Sequence, residues 1–456
     1  MNPVPPFQGL MLLTQRKGRI IFGRVGLIGI SIFLAAVSAT AEGLTINSPQ
    51  AGGGIGWSNA FPVGIISLQT ATNVAGPWSN RVNFFTSNSV AAGVAPLGSD
   101  NTFVRLLAVD VSTNTPNHFT NLVNSYGILE TVAGKGQFMG DKVDNWQATN
   151  EGGFATNANL SRSHWAFADP RNDDIIIVDE GSSGILKVTP DGRIHTIAGT
   201  HINGFNGDGP AAATNLNLYW PNGGWMRTDG TFYILDTYNG KVRRLDTNGI
   251  LSTLFTTSPM GAGRAFWIKS DESLIYFGSG SPASTNLNMW TPTGGVGVVR
   301  SDFKDLGNIM GDEKTGDLYV TDRSAYRVYR MSTNGTLTTI AGNGTAIGGG
   351  DGFPALQTGL QKPRTICFLP NGAGYFIGEH EGGIWYVDAA GIIHRWLAGD
   401  NVGTKPRGDG QWFYNDPTSP KVTKVRSVTL DRHGNMVIME NNYAFVRRIH
   451  FDRLSP

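Results

Sequence analysis

The segment 211–257, AAATNLNLYWPNGGWMRTDGTFYILDTYNGKVRRLDTNGILSTLFTT, limits the fold more than any other part of the chain. It contains the short apolar runs Gly223–Met226, Thr231–Leu235, Lys241–Leu245 and Ile250–Phe255. Between them stand the turns Thr228-Asp229-Gly230, Thr237–Gly240 and Thr247-Asn248-Gly249. Asp-Gly and Asn-Gly supply the positive φ that tight hairpins need, so each run is predicted to pair antiparallel with the next. The segment reads as a four-stranded meander. One such sheet cannot cover both of its own faces, and it needs further sheets to stack against.

Those further sheets are visible as copies. The second run recurs at Ile175–Asp179, Tyr233–Asp236, Ile275–Gly278, Leu318–Asp322, Tyr375–Gly378 and Val437–Glu440. Each is followed by a turn and a third run: ILKV, KVRRL, LNMW, RVYRM, GIWYV and FVRRI. Fourth runs follow only five of these, as RIHTIAG, ILSTLFT, GVGVV, TLTTIAG and IIHRWLAG. The missing fourth run is at the other end of the repeats. Gly127–Gly134, GILETVAG, has the same character, and no copy of the repeat precedes it. A ring in which this N-terminal strand completes the last sheet would satisfy the edge groups that an open stack leaves bare.

The phrase GDGPAAATNLNLYWPNG, followed by TFYILDTYNGKVRRLDTNGIL, resembles the NHL repeat, and the resemblance extends over 126–456. It implies an all-β fold: a six-bladed β-propeller of four-stranded antiparallel blades, closed by strand 127–134 in the last blade. The second and fourth blades match the pattern best. Where the pattern has Asp at the end of strand two, the third blade has Gly278, the fifth Gly378 and the sixth Glu440. The Gly-His and Trp-Asp marks of WD40 repeats are absent.

Residues 1–41 read as an export signal. Arg16, Lys17, Arg19 and Arg24 precede the apolar Val25–Val37, and Ala39-Thr40-Ala41 is a small-x-small cleavage site. Cleavage there would leave no stable membrane insertion and a secreted, periplasmic or cell-surface protein; the alternative is an uncleaved N-terminal membrane anchor, for which the 17 residues Val25–Ala41 are short. Residues 43–118 read as strands bounded by Gly, Pro, Asn and Ser, and they resemble a small β-sandwich module of exported bacterial proteins. Ser112–Ser125 is polar and reads as a linker. The single cysteine, Cys367, lies in an apolar run and is expected in the core. Charged residues are 16% and the net charge is +1, so no broad field steers the chain to nucleic acid.

Strand order places the loop between strands two and three at the same end as the connection to the next blade. The long segments 135–160, 200–219, 343–362 and 400–420 share that rim, whereas the opposite rim has only tight turns. Long loops on a rigid scaffold commonly carry binding, so a protein, peptide or carbohydrate is expected there. Four of these segments contain a Gly-Asp step, giving Asp141, Asp208, Asp351 and Asp409 as rim candidates. As a set they could face the channel mouth and hold a cation. The structural reading, an Asp bonded to its own Gly-flanked turn, accounts for the repetition more simply. Trp146 and Trp412 are the aromatic candidates, able to stack on a sugar or peptide, while Trp225 reads as core. Asp179, Asp236 and Asp322 are expected to cap the turn that follows strand two.

No catalytic residue is assigned. The repeats favour a binding and scaffolding module over an enzyme, because Gly223–Met226, Thr365–Phe368 and Arg426–Leu430 offer few ionisable inner-strand residues. The alternative is a metal-dependent hydrolase or lyase in the central channel, lactonase-like or resembling peptidyl-hydroxyglycine lyase. It would require calcium or zinc. His164, His201 and His380 are the histidines that strand order brings to the long-loop rim, while His195 and His394 fall in outer strands.

Overall fold

The computed structural model describes residues 10–16, 19–25, 33–38, 44–46, 54–58, 60–73, 75–87, 90–94, 103–136, 140, 143–400, 406–441 and 443–453. The chain divides into two units, one of 1–127 with 369–373 and 450–456, the other of 128–368 with 374–449. The protein is predominantly β, and its larger unit has the sheet arrangement of a β-propeller.

That unit holds five four-stranded antiparallel sheets and one five-stranded sheet. The segment 211–257 gives Gly223–Met226, Phe232–Asp236, Lys241–Leu245 and Ile250–Thr256, each paired antiparallel with the next. Gly249 has φ +77°, and a Cβ added there would meet nothing within 4 Å, so the turn conformation alone selects glycine. Leu129–Ala133 pairs antiparallel with Phe445–Ile449 and is the fourth strand of the sheet that also holds Met436–Glu440 and Val425–Leu430.

The first strands are Trp165–Ala168, Gly223–Met226, Phe266–Ile268, Leu306–Gly311, Pro363–Phe368 and Val425–Leu430. They touch one another in chain order, and the last touches the first. Hydrophobic clusters join successive sheets: Val437 and Met439 pack with Ile177 and Leu186, and Val178 with Ile234. Neighbouring first strands approach closely, since a Cβ on Gly311 would lie 2.4 Å from the Trp267 ring. Cys367 is buried in its strand, where burial pushes the thiol up to about 12.

A carboxylate at the end of strand two ties each of five sheets to the chain arriving at its first strand. Asp179 accepts from Ser161 N–H at 2.7 Å, Asp236 from Tyr219 N–H at 2.8 Å and Asp322 from Lys304 N–H at 2.8 Å. Glu379 and Glu440 do the same for Gln361 and Thr423, at 2.5 and 2.7 Å. The expected cap of the following turn is present as well: Asp179 accepts from Ser182 Oγ at 2.6 Å, Asp236 from the Asn239 side-chain amide at 2.9 Å and Asp322 from Ala325 N–H at 3.2 Å. In the fifth sheet the position belongs to Glu379, one residue beyond the Gly378 that the repeat pattern selects.

The long segments do not stand free of the sheets. Ala211–Ala212 pairs with Ile250 and Leu251 as a fifth strand. Phe154 bridges to Arg193, Pro354 to Ile392, and Asp409 to Leu129. In each case the segment that precedes a sheet runs back along that sheet's outer strand and occupies edge groups that would otherwise be open to pairing.

In the smaller unit, Gly64–Ala71 pairs antiparallel with Ser79–Thr86 and Phe103–Asp110, within a six-stranded sheet that also includes Leu10–Arg16, Arg19–Val25 and Phe33–Ser38. A second sheet joins Thr45–Ile46, Gly54–Ser58 and Val90–Val94. Trp57 of the second sheet shares one cluster with Ile66, Leu68, Val104 and Leu106 of the first. The segment read as a polar linker contains a helix, His118–Asn124, with Leu122 and Val123 buried. The chain returns to this unit after the last sheet: Asn83 donates to Arg453 O at 2.8 Å, and Phe85 stacks on Phe451 at 4.3 Å. The expected cleavage site at 39–41 lies outside the described residues, and no described helix is long and apolar enough to cross a membrane.

Candidate functional site

The rim aspartates are engaged with their own sheets. Asp208 accepts from Thr253 Oγ1 at 2.7 Å and pairs with Lys241 at 3.0 Å. Asp351 accepts the Arg395 N–H at 2.8 Å. Asp409 accepts from Thr131 Oγ1 at 2.7 Å and from Arg447 at 2.5 Å. Thr253, Arg395 and Thr131 all lie on fourth strands, so these carboxylates are distributed around the outside of the unit. Asp141 lies outside the described residues. Trp146 is half-buried and stacks on His201, centroids 5.2 Å apart. Trp412 is half-buried beside Tyr414, at 6.0 Å.

One of these candidates, Asp351, borders a cavity of about 440 Å³ beside the fifth sheet, with Gln361, Trp385, Arg395, Tyr414 and Thr418 among its walls. The Arg395 guanidinium lies 3.4 Å over the Trp385 ring and donates to Gly382 O at 2.9 Å. It therefore covers the tryptophan face, and Tyr414 is left as the aromatic wall. Burial, and then Asp351, push the Tyr414 hydroxyl up to about 12, so it stays neutral and able both to donate and to accept.

A second, charged site lies where the chain arrives at the first strands. Trp165 pairs with Val178, Gly223 with Leu235, Thr365 with Gly378 and Ser427 with Met439. The preceding residues, His164, Asn222, Arg364 and Arg426, thus occupy one register position in different sheets. They line a small cavity of about 10 Å³ together with Arg264, Trp165 and Gly307. His164 Nδ1 bonds the Asn222 side chain, and its Nε2 lies 3.1 Å from Glu180 Oε2. Arg264 pairs with Asp305 at 2.6 Å, and Arg323 pairs with the other oxygen of the same carboxylate.

Burial and then the Arg426 charge lower His164 to about 4, against the pull of Glu180. Burial alone would raise the Glu180 carboxyl, but His164, Arg426 and Arg162 outweigh it and hold it at about 2. Burial, then Arg323, Lys424, Lys362 and Arg162, press His380 down to about 2. Both histidines are neutral at pH 7. His201 is elsewhere, between Thr196 Oγ1 and Ser182 O, and does not converge with them. His195 is exposed beside Glu151, whereas His394 is largely buried 3.1 Å from Asp388.

The arginines of this second site were not anticipated, since they stand singly at the margins of separate apolar runs. The available signal is positional. Lys362-Pro363-Arg364, Lys424-Val425-Arg426 and Trp220-Pro221-Asn222 each precede the same first-strand residue.

No family model matches the sequence. The fold is similar to that of a protein of unknown function from Bacteroides thetaiotaomicron VPI-5482, with 13% identity, TM-score 0.56, and 90% of this chain and 98% of that chain covered. It is also similar to an auxiliary nutrient binding protein from Bacteroides ovatus ATCC 8483, with 13% identity, TM-score 0.52 and the same coverage, 90% and 98%. A further auxiliary nutrient binding protein, from Bacteroides thetaiotaomicron VPI-5482, matches at 12% identity and TM-score 0.50 over 90% and 98%. At these identities the likeness is one of fold, and it extends beyond the larger unit alone.

Proposed function

We propose that the chain is an exported, non-catalytic six-bladed β-propeller of the NHL type, carrying a small β-sandwich at its N-terminal side, that captures a carbohydrate from its surroundings. The reading rests chiefly on the cavity of about 440 Å³ bordered by Asp351, Gln361, Arg395, Tyr414 and Thr418. Its size is that of a small-molecule site, and it combines an aromatic wall with several hydrogen-bonding side chains, the combination that sugars require. Trp412 beside Tyr414 extends the aromatic surface toward a longer ligand. The nutrient-binding description of two proteins of similar fold agrees with a capture role. Peptide or protein ligands are the alternatives, on the long segments that carry Trp146, Asp208 and Asp409.

A metal-dependent hydrolase or lyase at the channel is less well supported. The cavity there is lined by three arginines and no carboxylate, a field that repels a calcium or zinc ion. Stoichiometric metal in purified protein, measured after dialysis, would restore that reading.

Calorimetric titration of the full chain with neutral oligosaccharides tests the capture role. Tyr414→Ala is expected to weaken the best ligand about tenfold or more, as loss of an aromatic platform does. Retention of full affinity by Tyr414→Ala would remove this cleft as the seat.

A further inference from the structure

The cavity at the first strands carries an inference independent of the rim cleft. Arg364 is 4% exposed and Arg426 is 6% exposed. Nε and Nη1 of Arg364 and Nε of Arg426 are buried with no hydrogen-bond partner in the protein. Buried guanidiniums are ordinarily forked onto carboxylates or carbonyls, because an uncompensated charge away from water is expensive. Arg243, Arg264, Arg323 and Arg447 leave Nε unpaired as well, but each turns a terminal nitrogen onto a carboxylate. Arg447 is fully buried and bonds Glu440 at 3.0 Å, Asp409 at 2.5 Å and the carbonyls of Lys421 and Arg407.

Arg364 and Arg426 depart from that rule side by side, on one cavity, with a third guanidinium from Arg264 and the Asn222 amide. Arg264 has its own partner in Asp305. Glu180 is a carboxylate that attracts Arg426, while Arg162, Arg264 and Arg323 repel it. The balance of fixed charge at the cavity is positive.

We propose that this cavity is a carboxylate-binding site, in which Arg364 and Arg426 receive the anionic head of a small organic acid or acidic sugar. The space between the guanidiniums, about 10 Å³, holds a group about the size of one water, so one carboxylate oxygen enters it while the second oxygen and the body of the ligand remain outside. Charged donors of two guanidiniums from adjacent strands meet on that oxygen, and charge-assisted bonds of this kind are the strong ones. Asn222, held by His164, adds an amide at the same wall. His164 is a positioning residue here, since its ring fixes the Asn222 side chain.

Thermal melting of the full chain in low-salt buffer, with acetate, D-glucuronate, glucose, chloride or phosphate added in turn, tests the assignment. Acetate or D-glucuronate is expected to raise Tm by roughly 3 °C at a hundredfold excess over Kd, and glucose to leave it unchanged. Protection by both acids assigns the carboxylate alone. Protection by D-glucuronate only adds recognition of the sugar body. Arg426→Met and Arg364→Met are expected to abolish the protection while leaving the ligand-free Tm equal or higher. Protection by chloride or phosphate but by neither acid would overturn the carboxylate assignment. Absence of protection by every anion would overturn the site, and so would an acid-induced rise that persists in both variants. If either methionine variant fails to fold, Arg426→Gln and Arg364→Gln take their place, and protection that persists in both overturns the site.

Discussion

Two arginines of the last sheet, Arg426 on its first strand and Arg447 on its third, are both buried and have opposite surroundings. Arg447 sits among two carboxylates and two carbonyls, one of the carboxylates supplied by the strap segment 406–420. Arg426 faces Arg264 and Arg364 across a cavity. On the outer flank, polar groups are spent on holding the molecule together. Around the inner cavity they are left available. In a repeat architecture every sheet offers the same positions, so a position where the bonding rule lapses identifies function more reliably than one where it is kept.

The largest expected effect lies on the flank. Arg447→Met strips Glu440 of its buried counter-charge and should cost about 3–5 kcal/mol in urea unfolding. A loss under 1 kcal/mol would show that the flank is not organised by these pairs.

The next effect is a contrast of pH dependence. His164 is lowered by burial and Arg426 from 6.5 to about 4. Its contribution is present above 6.5 and is lost as pH falls through about 4. Glu379 is raised by burial from 4.5 to about 7, against the Gln361 N–H and Arg395. Its contribution is present below 4.5 and is lost as pH rises through about 7. Between pH 7 and pH 5 each contribution changes by roughly 2 kcal/mol, with opposite sign. Unfolding measured at both pH values should then show, relative to the wild type, His164→Gln gaining stability on acidification and Glu379→Gln losing it. Parallel profiles in the two variants would contradict the assignment of these burial effects.

Asp351→Ala removes one exposed bond from strap to outer strand and should cost about 1 kcal/mol, read by the same unfolding measurement. The smallest change belongs to Arg426→Met, within about 1 kcal/mol of zero in the absence of ligand or slightly stabilising. If Arg426→Met matched Arg447→Met in cost, the two regions would not differ in kind.

Much of the larger unit was legible because its strands are short and bounded by Asp-Gly and Asn-Gly, which encode turns without help from distant residues. Counting strands also located the pairing of Leu129–Ala133 with Phe445–Ile449. Register was less accessible where the chain is irregular. Gly378 occupies the expected place of the strand-two carboxylate, yet Glu379 accepts the Gln361 amide, a shift that only the three-dimensional pairing settles. The Gly-Asp steps of the long segments pointed outward as a rim, but pairing with fourth strands turned them into straps. His118–Asn124 escaped notice because only Leu122 and Val123 of its turn are buried, too few for a helical periodicity. The inner arginines were hidden for a geometric reason. Arg264, Arg364 and Arg426 are far apart along the chain and meet only when the sheets are arranged about one axis.

The strand Leu129–Ala133 also sets a clock on assembly. At ordinary rates of protein synthesis, roughly 15–60 s separate its appearance from that of Phe445–Ile449. Throughout that interval the growing chain has a free leading strand and no lock to receive it. Any chaperone that meets the chain in that interval meets an unfastened belt.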